Sequence, residues 1–239
     1  MPNWCYNHLK VETSDPWTDT DEEKDKIVEK DRKELAKFKK ENFNENGFTF
    51  QGVVPMPKEL NISSGSSTDS AIAYINATKA GKKDWTEVDK MIDYQWTAKS
   101  CGFKQNDSKA TKRKKVLDYL SNDLSKAAIK EGKQALSNLE KYGYKDWYNW
   151  SINNWGTKWD ARNESGVCND TIDELFINFD TAWAPPTQWL EKATKKYKRL
   201  KFSMEYTEEG MGFEGRAYAK NGQCVDNCIS VDYPDDFWD

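Results

Sequence analysis

The sequence predicts an α+β protein in which an antiparallel or mixed sheet is backed by helices and split by a large helical insertion. Three observations predict it. Strand-like runs with period-two alternation gather at the two ends of the chain, as side chains pointing alternately to core and solvent require. Apolar residues at helical spacing fill the middle. The 239 residues include 11 Trp, and aromatics reach 13%, enough bulky apolar surface to build a core without disulfides or metal.

The elements follow in order. His8-Leu9-Lys10-Val11-Glu12 alternates polar and apolar, and Asp15-Pro16 ends it. Thr18 or Thr20 caps a helix with an acidic first turn that runs to about Asn42. Its apolar stripe is thin: Ile27, Val28, Leu35 and Phe38. Asn46-Gly47 marks a turn, and Phe48 to Val54 reads as a strand stopped by Pro55 and Pro57. Ser63 to Ser67 is a loop. Residues 69–80 and 84–100 are helix candidates, and one long helix spans about 108–141, with Val116, Leu120, Leu124, Ala128 and Leu136 at helical spacing. Gly132 is its weak point and Tyr142-Gly143 its end. Phe176 to Trp183 is strand-like and closed by Pro185-Pro186, and Pro186 opens a helix to about Lys196. Lys201–Tyr206, Phe213–Ala219 and Cys224–Asp232 read as strands, with Glu209-Gly210 and Asn221-Gly222 as hairpin turns. Residues 1–58 and 145–239 then form the sheet-bearing core, and 59–144 the helical insertion.

Composition narrows the function. Lys and Arg total 36 against 40 Asp and Glu, a formal net charge of −4, which disfavours non-specific nucleic-acid binding. Arginine, the better residue for bidentate base contacts, is confined to Arg32, Arg113, Arg162, Arg199 and Arg216, so sequence-specific nucleic-acid binding is not expected. No apolar run is long enough to span a bilayer, and Met1-Pro2-Asn3-Trp4-Cys5 does not read as a signal peptide. The five cysteines are an odd number, read as reduced thiols of a cytoplasmic protein.

Five stretches carry a family resemblance: Met1-Pro2-Asn3-Trp4-Cys5; Pro55-Met56-Pro57; Asn154-Trp155-Gly156-Thr157-Lys158-Trp159-Asp160; Phe179-Asp180-Thr181-Ala182-Trp183-Ala184-Pro185-Pro186; and Glu208-Glu209-Gly210-Met211-Gly212-Phe213-Glu214-Gly215. In this order they resemble the YubB-type, or Api-like, ferredoxin-like family of phages and plasmids. The resemblance covers both ends of the chain and skips most of 60–145. It implies a ferredoxin-like α+β core and a mobile-element origin, and it brings no catalytic residues. Phage and plasmid accessory genes are often directed at host defences. The resemblance therefore implies a non-enzymatic, phage-encoded accessory protein that binds and neutralises a host defence component.

Two alternatives stand beside it. The first is a sponge for a nucleotide-derived signal. Trp155, Trp159 and Trp183 with Thr157 and Lys158 would wall an aromatic pocket with a cation for phosphate; the competing reading places these indoles in the core, where large aromatics belong. The second is an enzyme using Pro2 as an N-terminal secondary amine, with Cys5 nearby but no visible partner constellation. A protein partner would be met by the basic run Lys112, Arg113, Lys114 and Lys115, which otherwise is a solvated helix face, or by the acidic-aromatic C-terminus with Asp235, Asp236 and Trp238. Extended to Lys109, the run also offers a weak nucleic-acid reading. Cys168, Cys224, Cys228 and His8 make a paper zinc site without the paired spacing that such sites need. The Glu208–Gly212 loop lacks a phosphate-loop spacing and reads as a strand connection. No cofactor is expected.

Overall fold

The computed structural model describes residues 3–13 and 20–232, and for 163–165 only the backbone. In chain order the elements are β1 (Trp4–Thr13), α1 (Asp21–Glu41), β2 (Phe43–Asn44), β3 (Gly47–Phe48), α2 (Ser66–Thr78), α3 (Thr86–Ile92), α4 (Gln95–Ser100), α5 (Lys109–Asp123), α6 (Lys126–Tyr142), α7 (Trp147–Trp155), β4 (Arg162–Asp170), β5 (Glu174–Ala182), α8 (Thr187–Lys196), β6 (Leu200–Glu208), β7 (Phe213–Lys220) and β8 (Gln223–Ser230). The chain divides into two compact units, residues 1–56 with 149–239 and residues 57–148.

The first unit holds a six-stranded antiparallel sheet of order β4-β5-β1-β6-β7-β8. Within it, β1-α1-β4-β5-α8-β6 is a ferredoxin-like βαββαβ arrangement, and the β7–β8 hairpin extends it beyond β6. Alternation decides the faces. Leu9 and Val11 of β1, Ile177 and Phe179 of β5, and Phe202 and Met204 of β6 are buried. They lie under α1 and α8, whose Phe38 and Trp189 join the same core. Phe38 packs edge-on against Phe202 and Tyr197, with centroids 5.6 and 5.2 Å away. Trp189 sits 5.4 Å from Phe48 and 5.2 Å from Phe50. Tyr6, His8 and Lys10 alternate with the buried set and point to the other face, on which none of the described helices of this unit packs.

The second unit is helical. Ala73, Ala77, Val88, Met91, Val116 and Leu120 form its buried cluster. Gly132 of α6 faces Ala71 of α2: a Cβ there would stand 2.7 Å from the Ala71 methyl, so this glycine lets two helices approach and is not a weak point.

Three expectations need correction. The strand expected at Phe48–Val54 is a two-residue strand followed by a 3-10 turn at Phe50–Gly52, capped by Thr49. The helix expected over 108–141 is two helices. Leu124 leaves helical geometry at ψ 121, and Ser125 caps α6 by accepting from Ala128 N at 3.1 Å. The helix expected over 84–100 breaks at Asp93-Tyr94. The helix α7 and the strand β4 were not foreseen.

Candidate functional site

The motif around Trp155 separates into a structural half and a surface half. Trp155 is buried, its Nε1 donating to Val54 O at 2.9 Å, and its ring meets Trp150 and Phe50. Thr157 is buried too and donates to Ala182 O at 2.9 Å. Gly156 takes φ 91, where a Cβ would collide with Gln188 Oε1. Asp160 accepts from Thr49 Oγ1 at 2.6 Å, Phe50 N at 2.7 Å and Ala161 N at 2.9 Å, and so holds the 3-10 turn in place. These four residues are architecture.

The remaining indoles reach solvent. Trp159 is 37% exposed and Trp183 46%. Trp159 packs 6.0 Å from Trp4, Lys158 lies 4.8 Å over the Trp159 ring, and the Arg162 guanidinium lies 4.5 Å over Trp4. Trp183 takes φ 74, its N–H donating to Asn3 O at 3.0 Å. Because Trp4 pairs with Ala182 across β1 and β5, the Trp4–Trp159 pair and Trp183 stand at one end of the sheet. Nearby, burial raises the Asp180 carboxyl, and the charges of Arg162 and His8 pull it partly back.

The larger candidate surface is the helix-free face itself. Registers place its side chains in rows across the strands. One row reads Asn178, His8, Glu205, Arg216, Asn227; the next reads Phe176, Lys10, Ser203, Tyr218, Val225. Tyr6, Tyr218, Val225 and Ile229 are exposed. The charges between them are paired: Lys10 reaches Glu12 at 2.5 Å and Glu174 at 3.4 Å, and Arg216 reaches Glu205 at 3.1 Å. The bond to Glu12 raises the Lys10 ammonium further. Three hollows open on this face, the largest about 410 Å³ and lined by Thr207, Glu214, Arg216, Tyr218 and Ile229 among others. Sequence reasoning missed this surface. The alternation Arg216-Ala217-Tyr218-Ala219 announces a half-exposed strand, but only the registers show which side chains lie abreast.

The other expected sites disperse. In the basic run, Arg113 makes a bidentate pair with Asp89 at 2.7 and 2.6 Å and lies 4.9 Å over Trp85. Lys115 donates to Asp107 and to Gly102 O, both at 2.7 Å. Lys112 sits over Phe103, while Lys114 is exposed. Arg113 and Lys115 thus tie α5 to the segments before it. His8 lies on the helix-free face, hydrogen-bonded to Asn178 at 2.7 Å. Cys224, opposite Ala219, lies on the helix side, where burial pushes its thiol up to about 11. The paper zinc set is therefore divided between faces, and among the described residues no three His, Cys, Asp or Glu side chains gather to hold a metal. Glu208 is buried and accepts from Met211 N within the β6–β7 connection. Cys5 is buried, which pushes its thiol up to about 12. Pro2, Asp235, Asp236 and Trp238 lie outside the described residues. Among the described residues no helix is long and apolar enough to cross a membrane.

Fold and surface together define an α+β protein with a ferredoxin-like core and a bare sheet face. Residues 154–234 match the family model described as the ferredoxin-like domain in Api92-like protein. The crystal structure of protein api92 from Yersinia pseudotuberculosis resembles this chain with a TM-score of 0.42 and 10% identity, over 98% of this chain and 99% of its own. No curated protein matches the sequence.

Proposed function

We propose that this chain is a non-enzymatic binding protein that takes a protein partner on the helix-free face of its sheet. The composition of that face supports the reading. Tyr6, Tyr218, Val225 and Ile229 offer exposed apolar area, and Tyr and Arg are the residue types that anchor protein interfaces. Lys10, Lys201, Arg216 and Lys220 are matched by Glu12, Glu174, Glu205 and Glu214, so the face lacks the cation excess that nucleic acid requires. The resemblance of the five motifs, together with the match over 154–234, supports the narrower reading: a phage or plasmid accessory protein that neutralises a host defence component in the host cytoplasm.

Native mass spectrometry of gently purified protein tests it. A partner protein is expected to co-purify, and Tyr218→Ala to weaken it by about 2 kcal/mol, roughly thirtyfold, with an unchanged melting temperature. A partner held equally by Tyr6→Ala, Tyr218→Ala and Ile229→Asp variants would refute the assignment of the face. The second reading, a sponge for a nucleotide signal, draws support from the Trp4–Trp159 pair with Lys158 and Arg162. It requires a bound mass of a few hundred daltons that is lost in Trp159→Ala.

A further inference from the structure

We propose that β8 is the pairing edge of a two-fold homodimer, in which the β8 strands of two copies run antiparallel and join their sheets into one. This is independent of which partner the helix-free face takes.

The sheet has two edges, and they are built differently. At the β4 edge the ladder to β5 shifts register twice, between Arg162 and Gly166 and between Val167 and Asn169. Bulges of this kind turn an edge away from further pairing. Among the described residues the β8 edge has no such guard. Its ladder to β7 runs without a break from Gln223 to Ser230, the strand contains no Lys, Arg or Pro, and residues 225–230 are all exposed. A long, flat edge without Lys, Pro or bulges, whose one charge, Asp226, is held by the Tyr206 hydroxyl, is a template for another strand.

The hairpin determines which groups are on offer. Asn221 at φ 54 and Gly222 at φ 79 form a two-residue primed turn closing on the Lys220–Gln223 pair, the hydrogen-bonded closure of such hairpins. Ladder bonds alternate along an antiparallel pair. The N–H and C=O groups of Cys224, Asp226, Cys228 and Ser230 therefore point away from β7.

The strand is self-complementary. Directly opposed residues in a new antiparallel pair must both offer outward groups or both withhold them, so a two-fold axis passes through a residue pair. Centred on Asn227, it sets Val225 against Ile229 of the other copy on the helix-free face, and Asp226 against Cys228, using the whole strand. No like charges meet, and Asp226 is already occupied as acceptor from the Tyr206 hydroxyl at 2.6 Å. Centred on Asp226, two carboxylates would oppose each other and Ile229 would face Gln223.

Sedimentation velocity of the full chain across concentrations is expected to show a species of twice the monomer mass. Asn227→Asp, which brings two carboxylates together, should raise its dissociation constant about tenfold or more. Asn227 faces its own copy at a non-hydrogen-bonded pair, where Cα atoms stand about 4.5 Å apart, within disulfide reach. Asn227→Cys with Cys224→Ser and Cys228→Ser should therefore link covalently on mild oxidation, and Asp226→Cys in the same background should not. In the unmodified chain, amide exchange at Asp226 and Cys228 should slow as concentration rises. A monomer at every concentration, a dimer indifferent to Asn227→Asp, or a chain that dimerises only after removal of residues 233–239 would overturn the proposal, the last by assigning the edge to the chain's own tail.

Discussion

At Trp183 the backbone sits at φ 74, a left-handed conformation that costs an ordinary L residue about 1–2 kcal/mol. Nearly half of the side chain is exposed, so burial returns little of this. Trp183→Gly is therefore expected to leave stability unchanged or raise it by about 0.5–1 kcal/mol, read as the urea midpoint at constant m. A loss above 1 kcal/mol would show that the indole packs and would remove it from the surface site. Asp160 is the contrasting case within the same resemblance motifs. It accepts from Thr49, Phe50 and Ala161 together, and Asp160→Ala strands those donors. The expected cost is about 2–3 kcal/mol, with no effect on partner or ligand affinity beyond that of unfolding. The two variants separate what the motif does for the fold from what its exposed indoles do for binding.

Among the elements, α5 shows how charge run and charge role diverge. Its cations read from sequence as a solvated face or a docking patch, yet Arg113 is the partner of Asp89 and lies on Trp85. The guanidinium bonds of Arg113, followed by Lys109, hold the Asp89 carboxyl down to about 2 from its ordinary 3.8. A depressed carboxyl stabilises the folded state fully above its ordinary value, and that stabilisation is lost as pH falls through the folded value. The urea midpoint of the helical unit should thus fall between pH 3.8 and about 2, and Arg113→Gln should flatten that fall. A slope equally steep in the variant would exclude the pair as its cause. The same elements show what the sequence could and could not reveal. Period-two alternation located β1, β5, β6 and β7 because each has one buried face, while β8, which buries no residue, was marked by the Asn221-Gly222 turn before it. Alternation missed β4, an edge strand with register shifts, where it is broken. Helical spacing carried across Leu124-Ser125 without interruption, because the two extended residues leave apolar residues at helical spacing on either side; the cap at Ser125 was the available signal. Aromatic content foretold a core rich in rings, but not that Trp155 would enter it while Trp159, four residues on, would not.

For the whole chain, the sequence divides into a sheet-bearing unit and a helical unit with separate buried cores. In the first, Val54 O accepts from the indole of Trp155 at 2.9 Å, and Phe50 packs on that ring. The segment before the helical unit is thereby fastened to the segment after it by contacts internal to the sheet-bearing unit. Closing a short loop between fastened ends costs little, since loop entropy grows only slowly with length. Replacing residues 57–148 by a short Gly/Ser linker is therefore expected to leave a cooperatively folding protein, with near-ultraviolet dichroism retained from Phe38, Trp155 and Trp189. Its unfolding should remain a single sharp transition. A collapsed species with strand-like far-ultraviolet signal but no near-ultraviolet signal would show instead that the sheet-bearing unit needs the helices to fix its aromatic core. If the shortened protein folds and keeps the partner of the intact chain, binding belongs to the sheet face. If it folds and loses that partner, the helical unit carries the contact, and Tyr218→Ala should then be silent in the intact chain as well.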